Sequence, residues 1–384
     1  MSQSRPPIVA IMGHIDHGKS TLLDYIRKTS VTEGEAGGIT QHLSAYEITI
    51  PYQGSDRAIT FLDTPGHAAF TGMRERGASV ADIAVLVVSA EDGVKAQTIE
   101  ALATIRSSGT PFIVAINKID RPEANIDRTK LSLAEHEVLV EGFGGTIPFV
   151  PLSAKVGTGV TDLLEAILLI ADLEGISGDA SATATGLVIE SRLDTKRGIA
   201  ATIIITDGTL SRGQFVVAGT ALTTTRIMED FKGESIESAP PSTPVHLVGF
   251  DRLPEVGSPI VVFDKKRDAE RHIEEESRSS SRRKDDIVFS ADTKIVPIVL
   301  KTDVFGTAEA IEKELLKKEV DSIAIKIISK GIGAISENDI RLAQADKETI
   351  ILGFNVALDA RARDLNETVG ANVQLFSIIY QLIE

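Results

Sequence analysis

The segment Gly13-His14-Ile15-Asp16-His17-Gly18-Lys19-Ser20 has the residue types and spacing of a phosphate-binding loop. An apolar run from Ile8 to Met12 precedes it and a helical pattern from Thr21 to Ile26 follows, so the loop joins a strand to a helix N-terminus. In that setting backbone N–H groups converge on phosphate oxygens and the helix end adds partial positive charge. Lys19 then reaches the distal phosphates and the Ser20 hydroxyl ligates Mg²⁺. Gly13, Asp16, His17, Gly18 and Thr21 complete the cradle. His14 and His17 also have the spacing of a metal pair, but no further ligands cluster with them, and they are read as shaping the loop.

Three more segments carry chemistry at predicted strand ends. Asp63-Thr64-Pro65-Gly66-His67 closes the strand pattern Ala58–Leu62. A carboxylate there can hold Mg²⁺ through water, and Gly66 lets a backbone N–H approach a terminal phosphate because no Cβ obstructs it. Asn117-Lys118-Ile119-Asp120 follows the buried-type run 111–116. The two oxygens of Asp120 form a fork that suits the adjacent ring N–H and exocyclic amine of guanine. Adenine offers no such pair and would leave the carboxylate unmatched. Ser153-Ala154-Lys155, after the strand pattern 149–152, adds a backbone donor for the guanine oxygen. Four such segments in this order specify a GTP and GDP site.

The elements that must position these residues divide along the chain. Residues 1–173 alternate apolar strands with amphipathic helices, which predicts an α/β fold with a parallel sheet and all nucleotide motifs at the strands' carboxyl ends. Residues 175–185 are small and polar and read as a linker. Residues 186–263 show short strands with turns, including a hairpin signal at Asp207-Gly208, and suggest a β-barrel. Residues 264–292 are charge-dense and read as a solvated linker helix with a loop. Residues 293–384 return to alternation and predict a small α/β/α domain, with Ser336 and Asp339 in an N-terminal cap pattern. Gly331-Ile332-Gly333 there lacks a third glycine at dinucleotide-binding spacing and reads as a turn. No catalytic constellation is visible in this last segment.

Composition narrows the class. The chain has 384 residues, no Cys and a net charge of −15. The absence of Cys excludes a disulfide framework and a Cys-based zinc site, and suits a cytoplasmic protein. No apolar run approaches a membrane span. The acidic balance argues against broad electrostatic binding of nucleic acid, and the absence of Trp argues against extensive base-stacking platforms.

The wording of the motifs is similar to the translational GTPases rather than Ras-like switches. The segments 24–28, 35–42 and 61–70 resemble bacterial translation initiation factor 2 more closely still, and the likeness continues through 217–221, 241–245 and 351–356. This resemblance implies a GTPase domain, a β-barrel and an α/β/α domain, with ribosome-stimulated hydrolysis and ribosomal RNA as a partner. It places Thr40 on Mg²⁺ beside Ser20, with Asp63 in contact through water. His67 then stands where Ras-type enzymes carry the Gln that orients attacking water, and Lys19, Thr40 and His67 form the catalytic set. Ile15 and Ile39 match the family's apolar gate. Asp16 resembles the carboxylate that binds K⁺ in related factors. A long N-terminal extension and a C-terminal tRNA-gripping barrel, common in the family, are missing from this sequence. The expectation is therefore a monomeric GTPase-containing part that binds GTP and GDP without holding initiator tRNA and without a membrane partner. The competing readings are an elongation-type carrier, disfavoured by the 35–42 segment, and a non-hydrolysing nucleotide-dependent module, disfavoured by intact Lys19, Thr40, Asp63 and His67.

Overall fold

The computed structural model describes residues 3–27, 41–194, 196–280, 294–317, 323–346 and 348–383. A six-stranded sheet organises the first part of the chain. Its order is Ser44–Tyr52, Ser55–Asp63, Ile8–Gly13, Ile83–Ser89, Phe112–Asn117 and Phe149–Pro151. The central strands are continuous apolar runs because helices cover both faces of a parallel sheet. Ile8 to Met12 and Ile83 to Val88 are all fully or almost fully buried. Leu22 and Leu23 of helix Lys19–Arg27, together with Leu163, Ile167 and Leu168 of helix Val160–Leu173, close one core over Val9, Ile11, Val85 and Val87.

The sheet departs from the all-parallel expectation at one edge. Ser44–Tyr52 runs antiparallel to Ser55–Asp63 through a tight turn in which Gln53 (φ 48°) and Gly54 (φ 84°) are both left-handed. Two successive positive φ values match the right-handed twist of a two-residue hairpin. Parallel pairing elsewhere brings Ile11 beside Asp63, Gly13 beside Val87 and Ser89 beside Asn117. The ends of these strands therefore lie along one edge, at the crevice where such sheets take ligands.

By contacts, the chain groups into two compact units, one of residues 1–189, 202–212 and 228–246, the other of residues 190–201, 213–227 and 247–384. Polar anchoring explains why 228–246 joins the first. Ser242 is fully buried in a left-handed conformation (φ 71°). Its carbonyl accepts from Thr60 Oγ1 at 2.7 Å, and its hydroxyl donates to Pro6 O at 2.6 Å. Arg5 donates to the same hydroxyl at 2.9 Å and grips both oxygens of Asp82 at 2.7 Å. Asp82 in turn accepts from Ile8 N–H at 2.8 Å.

The segment expected as a loose linker is partly ordered by pairing. Ser177–Gly178 forms an antiparallel ladder with Gln3–Ser4, and Asp179 N–H donates to Asp207 Oδ1 at 2.8 Å. Strands from Thr185–Asp194 to Pro259–Phe263 build a seven-stranded sheet. Asp207-Gly208 does not make the expected hairpin. Gly208 turns the chain (φ 71°) out of strand Gly198–Asp207 into Leu210–Ser211, which pairs with Ser238–Ala239 instead.

In the second unit, Lys266–Ser280 is helical, and residues 281–292 of the expected charged linker lie outside the described residues. Four parallel strands follow, in the order Ile323–Ile332, Lys294–Thr302, Ile350–Phe354, Asn372–Phe376. Val299 and Ile351 share a core with helices Glu337–Gln344 and Ala360–Val369. The alternate residues Ile298, Leu300 and Leu352 are buried as well, so both faces of this sheet are covered. The predicted cap is present. Asp339 Oδ2 accepts from Ser336 N–H at 2.8 Å and from the Ser336 hydroxyl at 2.7 Å, and also pairs with Lys301 Nζ at 3.0 Å. Lys301 crosses over Gly331, where a Cβ would lie 2.7 Å from its Nζ, and Gly331 and Ile332 end strand Ile323–Ile332 by pairing with Lys301 and Thr302, so the expected turn begins only at Gly333 (φ 99°). At the opposite corner Glu190 Oε1 accepts from Gly306 N–H at 3.3 Å, satisfying the N-terminus of helix Phe305–Lys317.

Arg5→Met should lower the urea midpoint of the cleft-bearing unit, at a cost of about 3 kcal/mol, because Asp82 is left half-buried without its bidentate partner. Arg5→Lys should recover only part of this, since an ammonium cannot make both bonds. An unchanged midpoint for Arg5→Met would count against the anchoring role.

A candidate guanine-nucleotide cleft at the carboxyl edge of the first sheet

The loop 13–20 is shaped by three close approaches. Gly13 (φ 142°) lies so near strand Ile83–Ser89 that a Cβ would meet Val87 O at 2.3 Å. Gly18 (φ 86°) leaves room for Asn117, whose Nδ2 a Cβ would meet at 2.3 Å. Asp16 takes the left-handed conformation (φ 62°) without being glycine, a turn that Asp tolerates better than most residues. Ile15 N–H donates to Gln97 Oε1 at 2.8 Å, which fixes the loop to helix Ala96–Ser108.

Lys19 is buried at the floor. Its Nζ donates to Gly13 O at 2.9 Å and His14 O at 2.7 Å, curling the loop around the ammonium. Burial lowers its pKa from the ordinary lysine range to about 8, against the opposing attraction of Asp63. His17 is also buried, with Nδ1 3.4 Å from Val87 O, and burial followed by the proximity of His14 pulls it down to about 3. It is therefore neutral throughout the physiological range. No group of three or more His, Asp and Glu residues suited to holding a metal occurs among the described residues.

Asn117 ties the loop to the base-recognition segments. Its Nδ2 donates to His17 O at 2.8 Å, while Oδ1 accepts from Lys118 N–H at 2.7 Å and Ala154 N–H at 2.9 Å. Within the 153–155 segment, expected to offer a backbone donor for the guanine oxygen, the Ala154 N–H is thus engaged by Asn117. Lys118 adopts a left-handed conformation (φ 64°) and its Nζ sits 3.3 Å from Glu91. Asp120 is exposed at the cleft rim, and its Oδ1 accepts from the Ser153 hydroxyl at 2.6 Å. That hydrogen bond holds its pKa below the usual carboxylate range.

These elements enclose a cleft of about 360 Å³. Asp16, Gly18, Lys19, Ser20, Thr21, Gly66, His67, Asn117, Lys118, Asp120, Ala154 and Lys155 line it, and Gly13, His17, Asp63 and Ser153 are not among its lining residues. Thr40 and Ile39 lie outside the described residues. Gly66 stands directly over Lys19, where a Cβ would come within 2.4 Å of Nζ. Thr64 Oγ1 donates to Ile11 O at 2.7 Å and seats this turn on the central strand. Next to it, His67 Nδ1 accepts from Ala69 N–H at 2.9 Å and the ring meets Phe70 edge-on. Ser20 and the nearly buried Asp63 supply hard oxygen donors beside the phosphate cradle, and this donor set fits Mg²⁺. The sequence reading missed Gln97, Arg74 and Arg121. Arg121 also lines the cleft, but nothing in its local pattern marks it. Gln97 and Arg74 act across long separations that periodicity does not reveal.

An α/β fold with these four segments along one edge defines a P-loop GTPase domain, and comparison extends this to the whole chain. Family models match in series: the elongation factor Tu GTP binding domain over 4–172, elongation factor G domain 2 over 183–263, and translation-initiation factor 2 over 269–384. The chain is 47% identical to translation initiation factor IF-2 of Aquifex aeolicus and 43% identical to that of Syntrophomonas wolfei, over 100% and 99% of its length. It belongs to the translation initiation factor 2 family of translational GTPases. It spans about half of these relatives, 48% and 44% of their lengths. Among solved structures, GDP-bound aIF5B from Aeropyrum pernix is similar at a TM-score of 0.55 and 27% identity, over 99% of this chain and 73% of that one. A bacterial selenocysteine-specific elongation factor shares the fold at a TM-score of 0.54 and 23% identity, over 67% of this chain and 45% of that one.

The buried ammonium has a measurable consequence. Free of nucleotide, Lys19 is about half protonated at pH 8, and phosphate oxygens would restore its charge. Lys19 should therefore contribute an uptake of about half a proton to GDP binding at pH 8, a share that fades as pH falls towards 7, with affinity falling as pH rises above about 8. The free chain shows the opposite sign. Its folded form binds fewer protons than its unfolded form between about 8 and 10.5, so Lys19 adds stability as pH rises through that window. Calorimetric GDP titrations in two buffers of different ionisation enthalpy test this, and equal heats at pH 8 would refute it.

Proposed function

We propose that this chain binds and hydrolyses GTP as the GTPase-containing part of a translation initiation factor that acts on the ribosome, promoting initiator tRNA placement and subunit joining. The observation that carries the reading is the placement of Gly66 over Lys19, with His67 beside it, in the same cleft as Asp120. Phosphate recognition, hydrolysis and base selection are thereby brought to one ligand. The proposed working division is a GTP-binding domain at 1–173, a β-barrel at 186–263 and an α/β/α domain at 293–384, joined by the charged stretch 264–292. Ribosomal RNA is the proposed partner, and its small, local contacts suit a chain of net charge −15. Among the described residues no helix is long and apolar enough to cross a membrane.

In this reading Lys19 exchanges the carbonyls of Gly13 and His14 for distal phosphate oxygens, and the Gly66 N–H meets the terminal phosphate. Ser20 and Thr40, with Asp63 through water, would hold Mg²⁺, which when bound neutralises phosphate charge. Asp16 is the proposed ligand for a monovalent cation. Asp120, kept ionised by Ser153, receives the guanine ring N–H and amine. His67 orients the attacking water. Because Nδ1 accepts from Ala69 N–H, the proton of the neutral ring resides on Nε2. In that tautomer Nε2 is a donor, which favours positioning and charge stabilisation over general-base catalysis.

His67→Ala should leave GTP affinity within about twofold while lowering ribosome-stimulated single-turnover hydrolysis by about 10²-fold or more. Retained turnover would assign the water to another residue. Asp120→Asn should weaken GTP and strengthen xanthosine nucleotides, since a carboxamide NH₂ can donate to the xanthine oxygen. Equal affinity of the unmodified chain for ATP and GTP would defeat the base-pocket assignment.

A further inference from the structure

Arg74 is the bulkiest of the fully buried side chains, at 1% exposure within helix Thr71–Val80. A guanidinium in such a place must be matched by acceptors or its desolvation goes uncompensated. Its Nη2 pairs with Glu100 Oε2 at 2.8 Å and reaches Thr71 Oγ1 at 3.1 Å. Its Nη1 donates to His67 O and lies 3.4 Å from Gly66 O and 3.5 Å from Pro65 O. Three consecutive carbonyls thus converge on one cationic nitrogen. The helix that carries Arg74 is locked close to the same turn, because Gly77 has no Cβ to strike Thr64 Cγ2, which would lie 2.8 Å away.

Peptide geometry turns this grip into an orienting device. None of the described peptide bonds is cis, so each C=O points opposite to the N–H of the same planar unit. Drawing Pro65 O towards Arg74 turns the Gly66 N–H away from it, and drawing Gly66 O in does the same for the His67 N–H. Gly66 stands over Lys19 in the cleft, so N–H groups turned away from Arg74 would be free to meet a phosphate bound at Lys19. The His67 ring is fixed from the same backbone, since the His67 carbonyl is held by Arg74 and Nδ1 by Ala69.

We propose that Arg74 is a positioning residue for GTP hydrolysis: its buried guanidinium, clamped by Glu100, holds the Pro65–His67 carbonyls and so aims the Gly66 N–H and the His67 imidazole across the cleft. This rests on the hydrolytic reading above. Arg74 is not among the residues that line the cleft, and it acts through Gly66 and His67. A lysine at this position keeps the charge but not the fork, so it cannot hold Glu100 and the carbonyls together.

The test is a mutant cycle in the full chain with ribosomes, reading single-turnover GTP hydrolysis beside GDP affinity. Arg74→Lys should slow hydrolysis about tenfold or more and leave GDP affinity within about twofold. Arg74→Lys with His67→Ala should lose less than the product of the two single losses, because both changes remove the placement of His67 and only the loosened Gly66 N–H is left to add. Glu100→Gln, at a half-exposed site, should give a smaller loss of hydrolysis. Hydrogen exchange of the 64–70 peptide in the GDP-bound protein should quicken in Arg74→Lys. Parent-like turnover in Arg74→Lys, or losses that multiply in the double variant, would overturn the proposal while His67→Ala still upholds the hydrolytic reading. Equal losses of GDP affinity and turnover would reduce Arg74 to a folding role and overturn it too. If the parent chain hydrolyses no GTP, the hydrolytic reading falls and this inference with it; if His67→Ala turns over like the parent, the water belongs to another residue and this inference falls alone.

Discussion

The cleft depends on the Asn117 carboxamide. Its amide end bonds to His17 and its oxygen takes two N–H groups from Lys118 and Ala154, so one buried side chain joins the phosphate loop to both base-recognition segments. Residues far apart in sequence are thereby held at the spacing of a single nucleotide. The choice of glycine at position 18 follows from it, because any Cβ there would collide with Asn117 Nδ2. Loss of the carboxamide would strand several buried polar groups at once, which is far more costly than loss of one exposed hydrogen bond.

Around that junction the first unit places cations where anions are to arrive. Lys19 is buried with only carbonyls for direct partners, and its lowered pKa records the cost of keeping it charged there. Arg74 lies buried behind the opposing loop, and its charge also weighs on Lys19. Both stand in a chain with net charge −15. Two buried cations thus flank the 65–67 turn in a chain that is acidic as a whole. Such preorganisation spares the site from reorienting solvent when phosphate charge enters.

Connections beyond the first sheet are polar as well. Ser242 is fastened through Thr60, Pro6 and Arg5, and Glu190 receives the N-terminus of helix Phe305–Lys317. Directional hydrogen bonds of this kind define a seat more sharply than apolar contact does, since a small shift breaks them. Both involve residues whose local sequence looks unremarkable, a serine between prolines and a glutamate inside a strand.

The sequence by itself determined the nucleotide motifs, the strand-end position of each, the α/β character of the first and last segments and the Ser336–Asp339 cap. These are local properties: a glycine spacing, a continuous apolar run and a capping pair within a few residues all leave a mark on adjacent positions. The hairpin of Ser44–Tyr52 with Ser55–Asp63 had such a mark in the alternation of its first strand and in Gly54, yet its antiparallel pairing at the sheet edge is a matter of register. Only the tertiary structure decided that Asp207-Gly208 leads out of its sheet, that Ser177–Gly178 is tied to the N-terminal strand, and that Asn117 ties the loop at His17 to Lys118 and Ala154. It alone revealed Arg74 beneath the 65–67 carbonyls. A buried arginine in a helix looks like any surface arginine in sequence, and what distinguishes it is the set of acceptors that distant segments bring to it.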